Sequence, residues 1–408
     1  MTSAGPAAAT RPHNRRQLIV DAAGAVFSER GYHAASMEEI AGGVGISAAA
    51  LYRHFPNKYA LFAACADVMV DGLVAALDTV PPDASLRDLL AALVRVTVAH
   101  RASGGLYRWE ARYLARDDRR RLRAKFAHVV DRVTEAVHRA APLPEPRLRA
   151  VAALGAIGSV TMHHTSIAPR RIEELVLASA TRVATTDPAS AAGSAARVEL
   201  PGRPVPRTRR AEILAAAVPL FARDGFANVT NGQIAQAVGL APSAIYRHYP
   251  GKVDILVAAC LQAAGLLAQA VDRGPRSPAG PRSPAGPRSP AGPHTAAGPH
   301  TAVGPHTALV AAYVAYSFEH NALNSVAEAE VRGLPDALRR PLIIAQREHI
   351  AVWEHQIRAA RPGLDARAAR VLTHAAFGVV VEAGRALRWH DTPANRDTVT
   401  ALAAGALS

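Results

Sequence analysis

The amino-acid sequence predicts an all-α fold, and three observations support that prediction. Half of the 408 residues are hydrophobic but only 5% are aromatic, so the core is built mostly from Ala, Val and Leu, which suit closely packed helices. Apolar residues recur about every four positions, the period of an amphipathic helix. A block of 51 residues also occurs twice without a gap, 194 residues apart and with 18 identities, which indicates a repeated structural unit.

The first copy of the block, residues 15–65, predicts four short helices. The first helix is expected to end at Gly31, and the second to begin at the capping box Ser36-Met37-Glu38-Glu39 and end at Gly45. The third is expected to begin at the N-cap Ser47 and end at Pro56, and the fourth to begin near Asn57. The second copy, residues 209–259, repeats these signals at Gly225, Thr230-Asn231-Gly232-Gln233, Gly239, Pro250 and Gly251, with Pro242 at a first-turn position.

Long helical stretches follow each copy. In the first half we expect helices near 85–101, 104–117, 119–140, 146–163 and 171–185; in the second half near 307–321, 323–332, 335–360, 365–387 and 393–406. Residues 187–206 are rich in proline and predict a linker. Residues 274–308 carry Gly-Pro every six residues with little apolar content, so they predict a disordered repeat, a tolerated expansion without a function of its own.

Charge and cysteine content limit the class of protein. A net charge of +14 favours a polyanionic partner such as nucleic acid, although Arg-rich composition also accompanies GC-rich genomes. The two cysteines, Cys65 and Cys260, imply no disulfide framework and fit a reducing cytoplasm as buried thiols. No signal peptide opens the chain and the apolar runs are too short to span a bilayer, so we expect no membrane partner.

Helix, glycine turn and helix within each copy outline a helix-turn-helix, whose second helix enters the major groove of DNA. These second helices are predicted at residues 48–55 and 242–249. Each carries Tyr-Arg-His, followed by Lys four residues after the His. Hydroxyl, imidazole and ammonium donors beside a helix N-terminus suit the binding of phosphate.

The segment Gly45-Ile46-Ser47-Ala48-Ala49-Ala50-Leu51-Tyr52-Arg53-His54-Phe55-Pro56-Asn57-Lys58 resembles the DNA-binding signature of the TetR family of transcriptional regulators. Upstream, Phe27, Gly31-Tyr32 and Ser36-Met37-Glu38-Glu39-Ile40-Ala41 extend the resemblance, and the second copy matches at the corresponding positions, including Tyr246-Arg247-His248-Tyr249-Pro250-Gly251-Lys252. The whole chain resembles a tandem (double) TetR-family regulator, as in actinobacterial repressors of lipid or steroid operons. The resemblance implies two TetR-like units, each an N-terminal three-helix helix-turn-helix domain followed by a helical ligand-binding and dimerisation domain.

The expected domains are a first DNA-binding domain at 11–72, a first regulatory domain at 73–186, the linker at 187–206, a second DNA-binding domain at 207–266 and a second regulatory domain at 267–408 that contains the repeat 274–308. We call residues 11–72 and 207–266 the first and second heads. Unit one is residues 11–186, and unit two is residues 207–408.

The resemblance also implies which residues contact DNA. Ser36 and Thr230 cap the second helix of each head near phosphate. The base-facing sets are Ser47, Ala48 and Ala49 in the first head and Ala241, Pro242 and Ser243 in the second. The phosphate-facing sets are Tyr52, Arg53, His54 and Lys58, and Tyr246, Arg247, His248 and Lys252.

We expect few direct hydrogen bonds between the heads and the edges of the bases. Ala48 and Ala49 cannot hydrogen-bond base edges, so DNA shape would carry more of the specificity. Because the two base-facing sets differ, the expected operator is an imperfect palindrome. Basic arms precede the heads and either reach the minor groove or are solvated charge; they comprise Arg11, Arg15 and Arg16, then Arg203, Arg207, Arg209 and Arg210.

In the regulatory domains, aromatic residues at helical spacing are ligand-pocket candidates or else ordinary core: Tyr107, Trp109, Tyr113, Phe126, Tyr313, Tyr316, Phe318 and Trp353. The expected effector is a small apolar or acyl-type molecule. Arg119, Arg120, Arg121 and Arg123 either attract an anionic head group or form a solvated face.

Small-residue faces around Gly155 and Gly378 suit close helix packing and favour an intramolecular pseudodimer over a homodimer with four heads. The predicted function is that of a sequence-specific, ligand-released repressor that binds double-stranded DNA in the cytoplasm, associated with the nucleoid. The alternatives are a ligand-binding or scaffold protein with degenerate heads, which the alanines at 48–50 favour, and an all-α enzyme. No nucleophile–base pair or phosphate loop supports an enzyme, and His163-His164 lack the carboxylate or Cys spacing of a metal site, so no catalytic residue, cofactor or metal is expected.

Overall fold

The computed structural model of the protein describes residues 15–102, 106, 113–193, 198, 200, 205–273 and 305–408. Every regular element within these ranges is a helix, so the all-α prediction is confirmed. Unit one contains α1 (Arg15–Ala34), α2 (Met37–Val44), α3 (Ala48–His54), α4 (Lys58–Asp78), α5 (Leu86–Ala99), α6 (Arg116–Ala140), α7 (Pro146–Gly158) and α8 (Pro169–Thr185).

Unit two follows the same order of elements. It contains α9 (Arg209–Asp224), α10 (Asn231–Ala237), α11 (Lys252–Arg273), α12 (Pro305–Glu319), α13 (Asn321–Glu330), α14 (Asp336–Ala360), α15 (Ala366–Ala386) and α16 (Pro393–Leu407), with 3-10 turns at Phe226–Asn228, Pro242–Arg247 and Val331–Gly333.

Local signals set the ends of the head helices. Gly45 and Gly239 follow the second helix of each head in the left-handed conformation, with φ of 69° and 67°, which glycine adopts without the steric cost of a Cβ. The predicted capping box forms completely in the second head, where Thr230 and Gln233 bond to each other's backbone N–H. In the first head Ser36 Oγ accepts from Glu39 N at 3.1 Å, while the Glu39 carboxylate pairs with Arg30 at 2.7 Å.

Three predicted boundaries need correction. The helix predicted at 119–140 begins at Arg116, and the helix predicted at 146–163 ends at Gly158 and continues as a 3-10 turn. The repeat predicted to be disordered through 308 ends earlier, because α12 begins at Pro305, where a first-turn proline loses no helical hydrogen bond. Residues 274–304, and most of the helix predicted at 104–117, lie outside the described residues.

The third helix of the second head also differs from the prediction. An α-helix forms in the first head at Ala48–His54, but the second head has a 3-10 helix over Pro242–Arg247. Ser47 Oγ caps α3 by accepting from Ala50 N, whereas Ala241 has no side-chain oxygen. In the second head, 3-10 bonds run from Ala244 N to the Ala241 carbonyl and from His248 N to the Ile245 carbonyl, both 2.9 Å.

The two units share one continuous hydrophobic core, in which α7 and α8 pack against α15 and α16. The helices α7 and α15 cross where Gly155 meets Gly378, so closely that a Cβ on either residue would clash with the carbonyl of the other. Farther along, Ser179 Oγ donates to the Ala406 carbonyl at 2.9 Å. The small-residue faces predicted around Gly155 and Gly378 therefore pack against each other within one chain.

Two helices, α4 and α11, are long and apolar enough by length and composition to cross a membrane. Each is also the helix that joins a head to its regulatory domain, and each buries one face in a head core, through Leu61 and Phe62 in α4 and through Ile255 and Leu256 in α11. Core helices of globular domains have the same composition, so these two helices are weak evidence for a membrane span.

Candidate nucleic-acid interface

In each head the third helix is fixed from its inner side. Leu51 and Phe55 are buried in the first head, and Ile245 and Tyr249 are buried at the corresponding positions of the second. The intervening triplet, Tyr-Arg-His, is exposed in the first head; in the second head Tyr246 and Arg247 are exposed and His248 is half-buried. Burial of the flanking residues thus orients the hydrogen-bonding side chains of the triplet toward the surface of each head.

The exposed tyrosines are the most accessible aromatic residues of the heads. Tyr52 is 47% exposed and Tyr246 is 58% exposed. In the second head Asn231 Nδ2 donates to the Tyr246 hydroxyl at 3.1 Å, and Met37 occupies the equivalent position of the first head. Tyr246 is therefore held in place by a partner that the first head does not offer to Tyr52.

The predicted base-facing residues differ in what they can donate. Ala49, Ala241, Pro242 and Ser243 are exposed, and Ala48 is half-buried. The Ser47 hydroxyl accepts from Ala50 N at 3.2 Å as a helix cap. Ser243 thus brings an exposed hydroxyl to the second head at a position where the first head has Ala49.

Lys58 and Lys252, predicted to contact phosphate, are tied inside the heads. Lys252 Nζ donates to the carbonyls of Phe226 and Val229 at 2.7 and 2.6 Å and lies 4.4 Å from the Phe226 ring centroid. Lys58 Nζ donates to the His33 carbonyl at 3.1 Å and lies 4.9 Å from the Tyr32 ring centroid. Burial lowers the pKa of both ammonium groups. Both lysines therefore have a role inside the head. The phosphate contact expected of each stays a prediction.

Part of each basic arm also belongs to the head. The Arg16 guanidinium lies 4.6 Å from the Phe55 ring centroid, and Arg210 lies 4.0 Å from that of Tyr249. Arg210 also donates to the His248 carbonyl, and the Tyr249 hydroxyl donates to the Arg210 carbonyl at 3.1 Å. Sequence reasoning missed these contacts, although Arg16 and Arg210 are identical across the repeat and both face an aromatic position.

The rest of the arms is split between surface and undescribed residues. Arg15 and Arg207 are exposed, and Arg209 pairs with Glu212 at 2.7 Å. Arg11 and Arg203 lie outside the described residues.

A cavity of about 610 Å³ lies in unit two, against the first head and unit one. We call it the junction cavity. Its walls come from α11 to α15, including Tyr313 and Tyr316, and from Ser28 and Glu29 of α1 and Met162 and His164 of unit one. Two of the eight pocket candidates thus line it.

The other pocket candidates have different places. Phe318 and Trp353 are fully buried core residues. Tyr113 stacks on Tyr32 with ring centroids 5.8 Å apart, and Phe126 is half-buried against the core. Tyr107 and Trp109 lie outside the described residues.

The arginine cluster of unit one is largely paired. Arg121 binds Asp67 at 2.8 Å and Asp118 at 2.7 Å, and Arg120 lies 3.7 Å from Asp117. Arg119 donates to the Leu114 carbonyl. Acidic neighbours thus offset this cluster, which the sequence predicted either to attract an anionic head group or to form a solvated face.

Buried histidines meet where the units join. The His163 and His374 rings stack at 4.4 Å between centroids, and both side chains are buried. Burial lowers the pKa of His163 to about 2 and that of His374 to about 3, and cationic neighbours add to the effect. Cys65 and Cys260 are free buried thiols, as predicted. Within the described ranges, no group of three or more His, Cys, Asp or Glu side chains could hold a metal ion.

Comparison with known proteins gives the heads a family. The sequence profile described as "Bacterial regulatory proteins, tetR family" matches residues 19–65 and 213–259. The chain is 48% identical over 64 residues to the HTH-type transcriptional activator FasR of Mycolicibacterium smegmatis, covering 16% of this chain and 29% of that protein. It is 30% identical over 125 residues to the HTH-type transcriptional repressor KstR2 of Mycobacterium tuberculosis, covering 29% of this chain and 60% of that protein.

The chain thus spans between 29% and 60% of the length of these two relatives. Among solved structures, the TetR family transcriptional regulator PfmR of Thermus thermophilus is 24% identical, with a TM-score of 0.37, over 40% of this chain and 96% of that one. The two profile matches coincide with the two heads, so the chain carries the helix-turn-helix domain of the TetR family of bacterial regulatory proteins twice.

Proposed function

We propose that the protein is a DNA-binding transcriptional regulator whose two heads bind one operator together. The observation that carries the proposal is the Tyr-Arg-His triplet, whose Tyr and Arg side chains are exposed in each head between buried neighbours on both sides. Its donors suit the phosphate contacts that position a helix-turn-helix on DNA. Regulators of this family are not enzymes, and binding is the activity we propose.

The two heads would occupy successive major grooves, about 34 Å apart along the duplex. Their base-facing sets differ, and one reading helix is an α-helix while the other is a 3-10 helix. Two unlike surfaces favour two unlike half-sites, so the proposed operator is an imperfect palindrome. Since alanine and proline offer no donor to a base edge, DNA shape would contribute much of the specificity.

We further propose that a small apolar effector in the junction cavity releases the DNA, which makes the protein a repressor. Helix α13 and the turn after it line the cavity and contact both heads. The Glu330 carboxylate accepts from Phe226 N of the second head at 2.9 Å, and the Arg332 guanidinium donates to the Ser28 carbonyl of the first head at 3.1 Å. A ligand that shifts α13 would change the spacing of the heads and so shift the population away from the DNA-binding state.

The chain would act in the cytoplasm, on the nucleoid, as a single polypeptide. The unit-to-unit packing through Gly155 and Gly378 takes the place that a second subunit would fill in a homodimer. The expected partners are therefore one double-stranded operator and one class of small effector.

DNA binding is tested by fluorescence anisotropy of the full chain with labelled fragments from the region upstream of its own gene. We expect a complex that prefers one fragment and weakens steeply as salt rises, because phosphate contacts release counterions. Binding that is equal for all fragments, or no binding at low salt, contradicts the proposal. Ligand binding without any DNA complex would instead identify a ligand-binding protein with degenerate heads.

The contribution of each head is tested with Tyr52→Ala and Tyr246→Ala. Each substitution removes an exposed hydroxyl and ring from one head, and we expect each to weaken operator binding by about tenfold or more. The matched control is Ile344→Ala, which truncates an exposed apolar residue outside the heads. A loss in only one of the two variants would mean that one head binds DNA and the other does not.

A further inference from the structure

The junction cavity has a charge pattern that opposes the charge of the chain. Four carboxylates lie along its walls, those of Glu29, Asp272, Glu328 and Glu348, against the single guanidinium of Arg332. That guanidinium already donates to the Ser28 carbonyl. In a chain with a net charge of +14, an acidic cavity is the reverse of what the overall composition would produce.

Among these four carboxylates, that of Glu328 is half-buried, whereas those of Glu29, Asp272 and Glu348 are exposed. Glu328 lies on α13 and accepts from Asn324 Nδ2 at 3.3 Å. Burial raises the pKa values of Tyr313 and Tyr316, and the charge of Glu328 raises them further. A carboxylate in this position stabilises a positive charge placed among the aromatic rings. It would repel a carboxylate or phosphate ester in the same place.

The inner wall is aromatic and polar but uncharged. Phe377 packs 4.7 Å from the Tyr313 ring and 5.5 Å from the His349 ring, centroid to centroid. His374 is 5% exposed and its Nδ1 has no hydrogen-bond partner in the structure, nor has the buried Nε2 of His349. Burial lowers the pKa of His349 to about 4 and that of His374 to about 3, so both rings are neutral at physiological pH.

We propose that the junction cavity binds an apolar organic cation, with its charge near Glu328 and its body against Phe377 and the neutral His349 and His374. Ring faces attract cations, and a cavity of this volume accommodates a drug-sized molecule. The two unpartnered imidazole nitrogens offer hydrogen bonds to a polar substituent of that molecule. This inference deepens the proposed function by naming the class of effector.

The test uses two probes of nearly equal size and opposite charge, tetraphenylphosphonium and tetraphenylborate. Their binding to the full-length protein without DNA is measured by isothermal titration calorimetry. Ala264 lines the cavity from α11, and Ala264→Phe fills space there, so only heat that this variant abolishes is counted as cavity binding. We expect one phosphonium per chain, bound at least about tenfold more tightly than the borate, although the net charge of the chain favours the borate.

Glu328→Gln keeps the shape of the side chain and removes its charge. We expect it to weaken phosphonium binding by about five- to tenfold and to leave borate binding equal or tighter. The control Glu135→Gln neutralises an exposed carboxylate on α6 of unit one and is expected to change neither probe. Equal or tighter binding of the borate by the unaltered protein, or phosphonium binding unchanged in Glu328→Gln, would overturn the proposal.

These outcomes can be separated from the DNA-binding proposal. If phosphonium binds as expected but no fragment of DNA is bound, the cavity assignment stands and the regulator proposal fails. If DNA is bound but phosphonium is not, the regulator proposal stands and the cation assignment fails. When both bind, release of labelled DNA by phosphonium, lost in Ala264→Phe, links the two.

Discussion

Several residues that are identical in the two heads hold the head together as well as facing its surface. Lys58 binds the His33 carbonyl and lies over the Tyr32 ring at the end of α1, past the kink at Gly31. Lys252 binds carbonyls of the turn between the first two helices of its head and lies over the Phe226 ring of that turn. Arg16 and Arg210 each lie over the aromatic residue that anchors the third helix. The repeat therefore preserves an internal set of cation–ring contacts, each contributing on the order of 0.5–2 kcal/mol.

Lys252→Met is expected to destabilise the second head. It removes hydrogen bonds to the Phe226 and Val229 carbonyls and leaves those partly buried oxygens without a donor, which costs about 1–3 kcal/mol. The measurement is the free energy of unfolding by urea. Lys125→Met, which removes surface ion pairs to Asp67 and Asp71, is the control and should cost about 1 kcal/mol or less. An equal loss in both variants would contradict the internal role.

The buried histidines make stability depend on pH. His163, His349 and His374 are neutral in the fold and have pKa values lowered to about 2, 4 and 3, while unfolded histidine titrates near 6.5. Arg370 lowers the pKa values of His163 and His374 further, and Arg101 lowers that of His163. Their contribution is therefore complete above about pH 6.5 and is lost as pH falls toward about 4, because only the unfolded chain takes up protons in that window.

We expect the melting temperature to fall between pH 7.5 and pH 5, with each ring contributing up to about 1.4 kcal/mol per pH unit below 6.5. His374→Phe should make this dependence less steep, because the substitution removes one imidazole that is protonated in the unfolded chain but not in the folded one. His138→Gln, at an exposed position of α6, should leave the dependence unchanged. The same slope in His374→Phe as in the unaltered chain would exclude this ring as a source.

At the scale of elements, one crossing decides how the two units meet. Gly155 of α7 and Gly378 of α15 lie backbone to backbone, and Ser159 packs beside Gly378. Small residues at this point let two helices approach more closely than bulky side chains permit. The elements on either side, α8 and α16, then close the bundle.

Gly378→Ala is expected to destabilise the protein by about 1–3 kcal/mol, because its Cβ would overlap the Gly155 carbonyl and force the helices apart. Gly265→Ala in α11 is a matched control, since a Cβ there meets nothing within 4 Å. That control should be neutral or stabilising by up to about 1 kcal/mol through helix propensity. Thermal and urea unfolding of both variants measure the difference, and similar effects in the two would contradict the crossing.

At the scale of the whole molecule, the core that joins the units belongs to one chain. Residues of α7 and α8 and residues of α15 and α16 lie in a single hydrophobic cluster. Because α15 and α16 cover the surface of α7 and α8 within one chain, that surface is not available for packing against a second copy.

We therefore expect a monomer in solution, with a molar mass near 42.8 kDa by light scattering coupled to size exclusion. The mass should not change with concentration, because the interface is intramolecular and independent of mass action. Gly378→Ala serves as a probe here as well, and it should loosen the particle without changing its mass. A mass of twice this value for the unaltered chain would favour a homodimer with four heads.

Predictions from the sequence were more accurate for the heads than for the regulatory domains. The caps and turn glycines of the heads act over three or four residues, so Ser36, Thr230, Gly45 and Gly239 could be placed from the sequence. Phe318 and Trp353, which were pocket candidates only because they are aromatic residues at helical spacing, are buried in the core and do not line the cavity. Helical spacing alone does not say which face of a helix meets a cavity and which meets another helix.

By itself the sequence determined an all-helical chain with two helix-turn-helix heads, because caps, glycine turns and terminating prolines are local signals. Only the tertiary structure decided what lies between the heads. The crossing of Gly155 with Gly378, the stacking of His163 on His374 and the acidic walls of the junction cavity all join residues that are far apart in the chain. Such contacts depend on how whole helices pack, and the residue pattern of one helix does not show which other helix it packs against.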